Sequence, residues 1–150
     1  MLGFGDKALE LYKMINPIEH SRTKETAQKY KVEPYVISAD IYGANNLAGR
    51  GGWTWYTGSS SWYYKTGIEY ILGLHIKNRT LYINPCIPKE WKNYNIKYKY
   101  KNTLYNINIK NQDKKNTGVS KIIVNGENID ITKGIMLKEN SGIINIEVEM

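Results

Sequence analysis

Apolar residues recur at helical intervals up to about Leu72 and at every second position from Thr80, so no fold built from one kind of element fits the whole chain. In Asp6 to Ile15, Leu9, Tyr12 and Ile15 fall on one helical face with Leu11 and Met14 alongside. This predicts an amphipathic helix stopped before Pro17. Thr23-Lys24-Glu25-Thr26 opens a second short helix, because a threonine cap and an acidic first turn suit a helix N-terminus. After a polar loop from Gly43 to Gly52, Ser59 or Ser60 can cap a third helix running to about Leu72 and ended by Gly73. Then the period changes to two. Residues 81–83, 96–100, 104–109, 120–124, 134–137 and 143–148 are predicted strands, with hairpin turns at Lys101-Asn102 and Asn125-Gly126. Helices followed by strands predict an α+β chain, a helical part leading into an antiparallel β-sandwich.

The chain has 150 residues, of which 41% are hydrophobic, enough for a packed core and too many for a disordered composition. Cys86 is alone, so it makes no internal disulfide; its spacing suits a small apolar core residue in a reducing compartment. Residues 1–10 include Asp6 and Glu10 and no long apolar run, and no stretch approaches the roughly 20 apolar residues of a membrane helix. A cytoplasmic protein without a membrane partner is the expectation.

The net charge of +7 is uneven: residues 1–75 hold eight Lys/Arg against seven Asp/Glu, and residues 76–150 thirteen against seven. Lys97, Lys99 and Lys101 alternate with Ile96, Tyr98 and Tyr100, which puts lysines and tyrosines on opposite faces of a strand. A nucleic-acid surface wants base and aromatic together. Separation instead predicts a solvated outside and a packed inside, with no nucleic-acid partner.

Arg50 to Tyr64, R-G-G-W-T-W-Y-T-G-S-S-S-W-Y-Y, concentrates six aromatics and a Thr-Gly-Ser cluster in fifteen positions. Aromatic faces can pack on a pyranose, and backbone N–H groups at a helix start can hold a phosphate. The same string also suits a turn, a helix cap and core aromatics. Trp53, Trp55 and Trp62 could line a sugar subsite, but alternate loop positions cannot all face one ligand, so at least one is expected in the core. No His/Cys/Asp cluster has metal-ligand spacing, and neither a Ser-His-Asp arrangement nor a GxxxxGK[ST] loop is present.

Three blocks recur in order: N-P-I-E-H-S-R-T at Asn16 to Thr23, Y-K-V-E-P-Y-V-I-S-A-D-I-Y at Tyr30 to Tyr42, and the Arg50 segment. With N-P-C-I-P at Asn84 to Pro88 and Trp91, they closely resemble glycoside hydrolase family 94 along residues 1 to about 105. That family contains cellobiose and related disaccharide phosphorylases and the phosphorylase region of cyclic β-1,2-glucan synthases. The resemblance implies that residues 1–76 are the C-terminal helices of an (α/α)6 barrel and residues 77–150 a C-terminal β-sandwich. Family members are several times longer, and their general acid, an aspartate, lies upstream of the matched blocks. The resemblance therefore assigns no catalytic residue to this chain.

By the same resemblance Thr57 and Gly58 match a Thr-Gly pair that contacts phosphate. Inverting phosphorolysis of a β-glucoside to α-glucose 1-phosphate uses inorganic phosphate as co-substrate and nucleophile, so no second carboxylate, cofactor or metal is implied. Sugar-binding candidates are Glu33, Asp40, Arg50, Trp53 and Trp55. Glu33 can bond a sugar hydroxyl or brace its loop, and Arg50 can pair with an anion or decorate the surface. If Glu33 and Asp40 lay on one helix, their carboxylates would stand about 10 Å apart, beyond the usual spacing of an inverting pair. Ala39 and Asp40 stand where some family phosphorylases have a substrate-contacting glutamine. The E-P-Y-V-x-x-A-D pattern is nearer the glucan-synthase type. His20 is expected to be a satisfied hydrogen-bonding histidine, and His75 shows no evident partner. Trp91 is expected to pack where the helical part meets the sandwich.

Three functional readings follow: part of a family 94 phosphorylase completed by an upstream barrel polypeptide, a free-standing carbohydrate or sugar-phosphate binding module, or an inactive remnant whose exposed barrel face drives self-association.

Overall fold

The computed structural model describes residues 2–54 and 57–150, Thr57 by its backbone only. Helices α1 (Gly5–Met14), α2 (Pro17–His20), α3 (Lys24–Tyr30) and α4 (Thr57–Lys65) precede eight strands, making an α+β chain with mixed sheets. Two compact units result: Glu10–Gly67, and Met1–Leu9 with Ile68–Met150. Among the described residues no helix is long and apolar enough to cross a membrane.

Local chemistry sets each helix end. Helix α1 stops at Met14, and Asn16 starts α2 by accepting a hydrogen bond from Ile18 N at 2.9 Å, with Pro17 at the first helical position. Thr23 and Thr26 exchange side-chain and backbone bonds in a reciprocal cap on α3, and Lys31 ends it in the left-handed region. Helix α4 begins at Thr57, so Ser59 and Ser60 lie inside it rather than capping it. It passes into a π-helical turn, Thr66–Ile71, before Gly73 turns the chain at φ +78°.

Strands β1 (Leu74–Lys77), β2 (Thr80–Ile83) and β7 (Ile135–Met136) form a three-stranded antiparallel sheet. The second sheet runs β3 (Asn93–Tyr100), β4 (Thr103–Lys110), β8 (Ile143–Glu149), β5 (Lys121–Val124) and β6 (Glu127–Ile129). The expectation of a purely antiparallel arrangement fails at one place, because β4 and β8 are parallel. A parallel neighbour needs a long crossover, and residues 111–142, carrying β5, β6 and β7, supply it.

Alternation builds the core of the second unit. Tyr105, Ile107 and Ile109 on β4 lie in register with Ile144, Ile146 and Val148 on β8, all buried. Leu74, Leu81, Ile83 and Ile135 add the buried face of the smaller sheet, and Cys86 is buried with a free thiol whose pKa burial pushes up. The Tyr105 hydroxyl, fully enclosed, accepts from Lys138 N at 2.6 Å. On β3, Lys97 and Lys99 are exposed while Tyr98 and Tyr100 are half-buried, as their alternation predicts. Burial above all raises the hydroxyl pKa of Tyr98.

Candidate functional site

The site is built within Glu10–Gly67. Tyr12 from α1 and Tyr63 from α4 stack with ring centres 3.9 Å apart and planes 10° from parallel. Tyr63 Oη also donates to the Tyr12 carbonyl at 2.9 Å. Burial first, then the neighbouring Tyr12, holds the Tyr63 hydroxyl well above its ordinary pKa, so it remains a neutral donor.

A short ladder stands opposite. Ala39 N donates to Trp53 O at 2.7 Å, Gly52 N to Asp40 O at 2.9 Å, and Tyr42 N to Arg50 O at 2.9 Å. This pairing is tight because residue 52 is glycine: a Cβ there would overlap the Asp40 carboxylate. A groove of about 730 Å³ results, lined by Tyr12, Ile15, Ile37, Asp40, Ser59 and Trp62 among others. An adjoining groove of about 380 Å³ shares Tyr12, Ile37 and Tyr63 and adds Asn16, Tyr35, Ser60 and Tyr64. Aromatic faces, hydroxyls and one carboxylate are thus presented together, a lining suited to a neutral, hydroxyl-rich molecule.

Helix α4 starts within this unit at Thr57 and Gly58. Gly58 is exposed, its φ lies outside the left-handed region, and among the described residues nothing lies within 4 Å of where a Cβ would be. Neither backbone conformation nor packing demands glycine there, although glycine weakens a helix. An uncovered backbone at a helix start is what close approach of an anion requires.

Of the other sequence-derived candidates, the structure brings Asp40 and Trp62 to the groove. Glu33 is half-buried in a non-helical turn, its carbonyl accepting from Val36 N at 3.3 Å; no common helix pairs it with Asp40. Arg50 is exposed on the ladder. Trp53 and Trp62 are each 71% exposed, so of the three tryptophans in this segment neither of the two described is the core one. Trp55 lies outside the described residues, as does the Thr57 side chain.

His20 is satisfied, its Nε2 donating to Met14 O at 2.7 Å with the ring stacked on Tyr30. His75, read as unpartnered, meets the edge of Tyr70. Trp91 packs edge-on against Tyr94, whose hydroxyl donates to Leu72 O at 3.1 Å. No group of three or more His, Cys, Asp or Glu among the described residues could hold a metal. Tyr12 was missed as a site residue: its helical spacing marks a buried face but carries no sign that the face borders a groove.

Residues 1–73 match the model of the glycosyl hydrolase 94 superfamily catalytic domain, and residues 74–132 that of the glycosyl hydrolase family 65 C-terminal domain. Residues 1–73 belong to the glycosyl hydrolase 94 superfamily. The seam between the two matches falls where Gly73 ends the helical run and β1 begins.

Within this superfamily setting the chain is 43% identical over 109 residues to the cyclic β-(1,2)-glucan synthase NdvB of Rhizobium meliloti (strain 1021), covering 73% of this chain and 4% of that protein. It is 35% identical over 130 residues to the N,N′-diacetylchitobiose phosphorylase of Vibrio furnissii, covering 86% and 16%. With the solabiose phosphorylase of Paenibacillus borealis it shares 28% over 134 residues, covering 85% and 16%. The chain thus spans between 4% and 16% of the length of these relatives.

Proposed function

We propose that this chain is the C-terminal part of a carbohydrate phosphorylase that cleaves a β-linked glucoside by inverting phosphorolysis, giving α-glucose 1-phosphate. The observation that carries the reading is Gly58, a glycine at a helix start that neither conformation nor packing requires. Inorganic phosphate would lie against the first N–H groups of α4 and the Thr57 hydroxyl, with the helix dipole favouring the dianion. The Tyr12/Tyr63 wall and Trp62 would meet apolar sugar faces, and Asp40 would accept from sugar hydroxyls. Glu33, Arg50, Trp53 and Trp55, all from the chain preceding α4, would complete the proposed sugar contacts.

Cleavage also needs an acid on the leaving oxygen. The family resemblance assigns that acid to no residue among these 150, so this polypeptide by itself is expected to bind and not to cleave. Helices 1–76 would complete an (α/α)6 barrel with an upstream polypeptide, and residues 77–150 would form the closing sandwich. Cytoplasmic location fits the reduced, buried Cys86.

The test is thermal unfolding of the purified chain with α-glucose 1-phosphate against an equal concentration of a non-cognate sugar phosphate at matched ionic strength. A ligand that binds only the folded state raises the midpoint, by about 2.7 kcal/mol of stability at a hundred times its Kd. A selective rise is expected. A cooperative transition without it would overturn binding by the chain alone, and phosphate release from the ester and an acceptor sugar would overturn the inactivity.

A further inference from the structure

Asparagine is poorly suited to strands, yet it recurs at outward positions of three adjacent ones: Asn93 and Asn95 on β3, Asn106 and Asn108 on β4, Asn145 on β8. Register gathers them. Lys97, Asn106 and Asn145 form one row across the sheet, and Asn95, Asn108 and Glu147 the next. Neighbouring members of a row stand about 4.8 Å apart, so the amides present donors and acceptors at regular intervals.

These six residues line a shallow groove of about 650 Å³. Asn106 Nδ2 donates to Asn145 Oδ1 at 3.2 Å, and Asn145 N donates to Asn125 Oδ1 at 2.9 Å, which holds the row in place. Asn106 Oδ1, by contrast, is shut off from water and accepts no hydrogen bond, so turning this amide onto a ligand hydroxyl would relieve a buried acceptor. Leu104 and Ile143, partners across the ladder, form a small apolar step at one end. The Lys110–Glu147 pair at 2.6 Å neutralises charge beside the groove. The β3 tyrosines point the other way, so the face offers no ring on which a nucleic-acid base could stack.

We infer that the outer face of the five-stranded sheet, along Asn95, Asn106, Asn108 and Asn145, binds a neutral glycan chain through an amide ladder, at a site separate from the groove that holds Asp40. Carboxamides match sugar hydroxyls because each side offers donors and acceptors to the other. The consequence is a second grip on a long substrate or product, independent of phosphate.

The test is a ¹H–¹⁵N titration of the full chain with soluble cyclic β-1,2-glucan as probe, following the asparagine side-chain NH₂ signals. Saturable shifts at Asn95, Asn106, Asn108 and Asn145 are expected. The double variant Asn95→Thr/Asn108→Thr should keep the unfolding midpoint, since threonine is the better strand former, and weaken binding by about tenfold. If that variant does not fold, the single Asn95→Thr on the edge strand, weakening binding by about threefold, serves the same purpose. Unmoved side-chain amides would overturn the proposal, as would shifts produced by oligo(dT) alone and removed by added salt, which would mark an electrostatic face. Shifts at Gly58 and Ser59 report the other groove, so glucan on the sheet with those signals unmoved leaves this inference standing and weighs only against the proposed function.

Discussion

The two compact units treat apolar side chains in opposite ways. Of the hydrophobic core residues among those described, only Tyr30 and Val36 belong to Glu10–Gly67, whereas sixteen, from Ile71 to Met150, belong to the other unit. Exposure reverses the picture: Leu11, Met14, Ile15, Ile18, Tyr35, Ile41, Tyr42, Leu47, Trp53, Trp62 and Tyr64 are all exposed in Glu10–Gly67. The strand-rich unit closes most of its apolar surface on itself, although Phe4, Met136 and Ile143 among others stay exposed. The helical unit leaves much of its own exposed, and part of it lines the grooves that hold Tyr12, Tyr63 and Trp62.

The sharpest way to break this comparison is a matched pair of truncations. Ile107→Ala, at 1% exposure between Ile96 and Ile146, is expected to cost about 2–5 kcal/mol, enough to unfold a marginal domain. Ile18→Ala, at 62% exposure, is expected to change stability by no more than about 0.5 kcal/mol. Urea titration measures both. Equal costs would mean that the helical unit's surface is covered in solution, and a midpoint that rises with protein concentration would identify the cover as a second copy. Next in size is Asn111→Ala. Asn111 is fully buried, donating to Lys115 O and accepting from Lys115 N, both at 2.8 Å. Removing the amide leaves that loop backbone unpaired, an expected loss of about 1–3 kcal/mol by urea unfolding.

The same contrast explains what could be read without coordinates. Strands β2, β3, β4, β5 and β8 were legible because each alternates toward a core made by its own unit. Strand β1 was missed: its four residues begin immediately after Gly73, too short a run to separate from the helix end. Strand β6, Glu-Asn-Ile, carries almost no apolar signal and is held by pairing to β5. The parallel β4–β8 pair was invisible because sequence periodicity reports which face a residue takes, not which neighbour it finds. In the helical unit, the apolar pattern of α1 predicted a buried face, yet Leu11, Met14 and Ile15 are exposed. Asp40 was legible from its block, whereas its approach to Ser59 depends on the ladder with Gly52, a contact made through backbone atoms that carry no residue signature.

Gly58→Ala sharpens the comparison because stability and binding should move apart. Alanine suits a helix better, by up to about 1 kcal/mol, and open space around Gly58 admits the methyl. The unfolding midpoint is therefore expected to rise slightly. That methyl would occupy the approach to the first N–H groups of α4, so the midpoint shift with α-glucose 1-phosphate should fall or vanish. A variant that gains stability and keeps its full ligand shift would show that Gly58 is not where the anion approaches.

The smallest expected effect lies in the strand-rich unit, at the Asp6 carboxylate on the first turn of α1. Asp6 accepts from Asn116 Nδ2 at 2.9 Å and from Lys89 N at 3.1 Å, while Asn116 also exchanges bonds with Ile87. Asn116's hydrogen bond first, and Lys89's backbone amide next, hold the Asp6 carboxyl below its ordinary 3.8. A depressed pKa means the folded state favours the carboxylate, so this contribution is present above pH 3.8 and disappears as the pH falls through the lower folded value. Glu25, Asp130 and Glu147 are depressed in the same direction, and the parent chain's acid limb therefore sums several groups. Comparison with Asp6→Asn isolates one of them. Urea unfolding across the acid range should find the variant less stable at neutral pH, with the gap to the parent closing below pH 3.8. A gap that stays constant would mean that Asp6 acts through the shape of its hydrogen bonds and not through its charge.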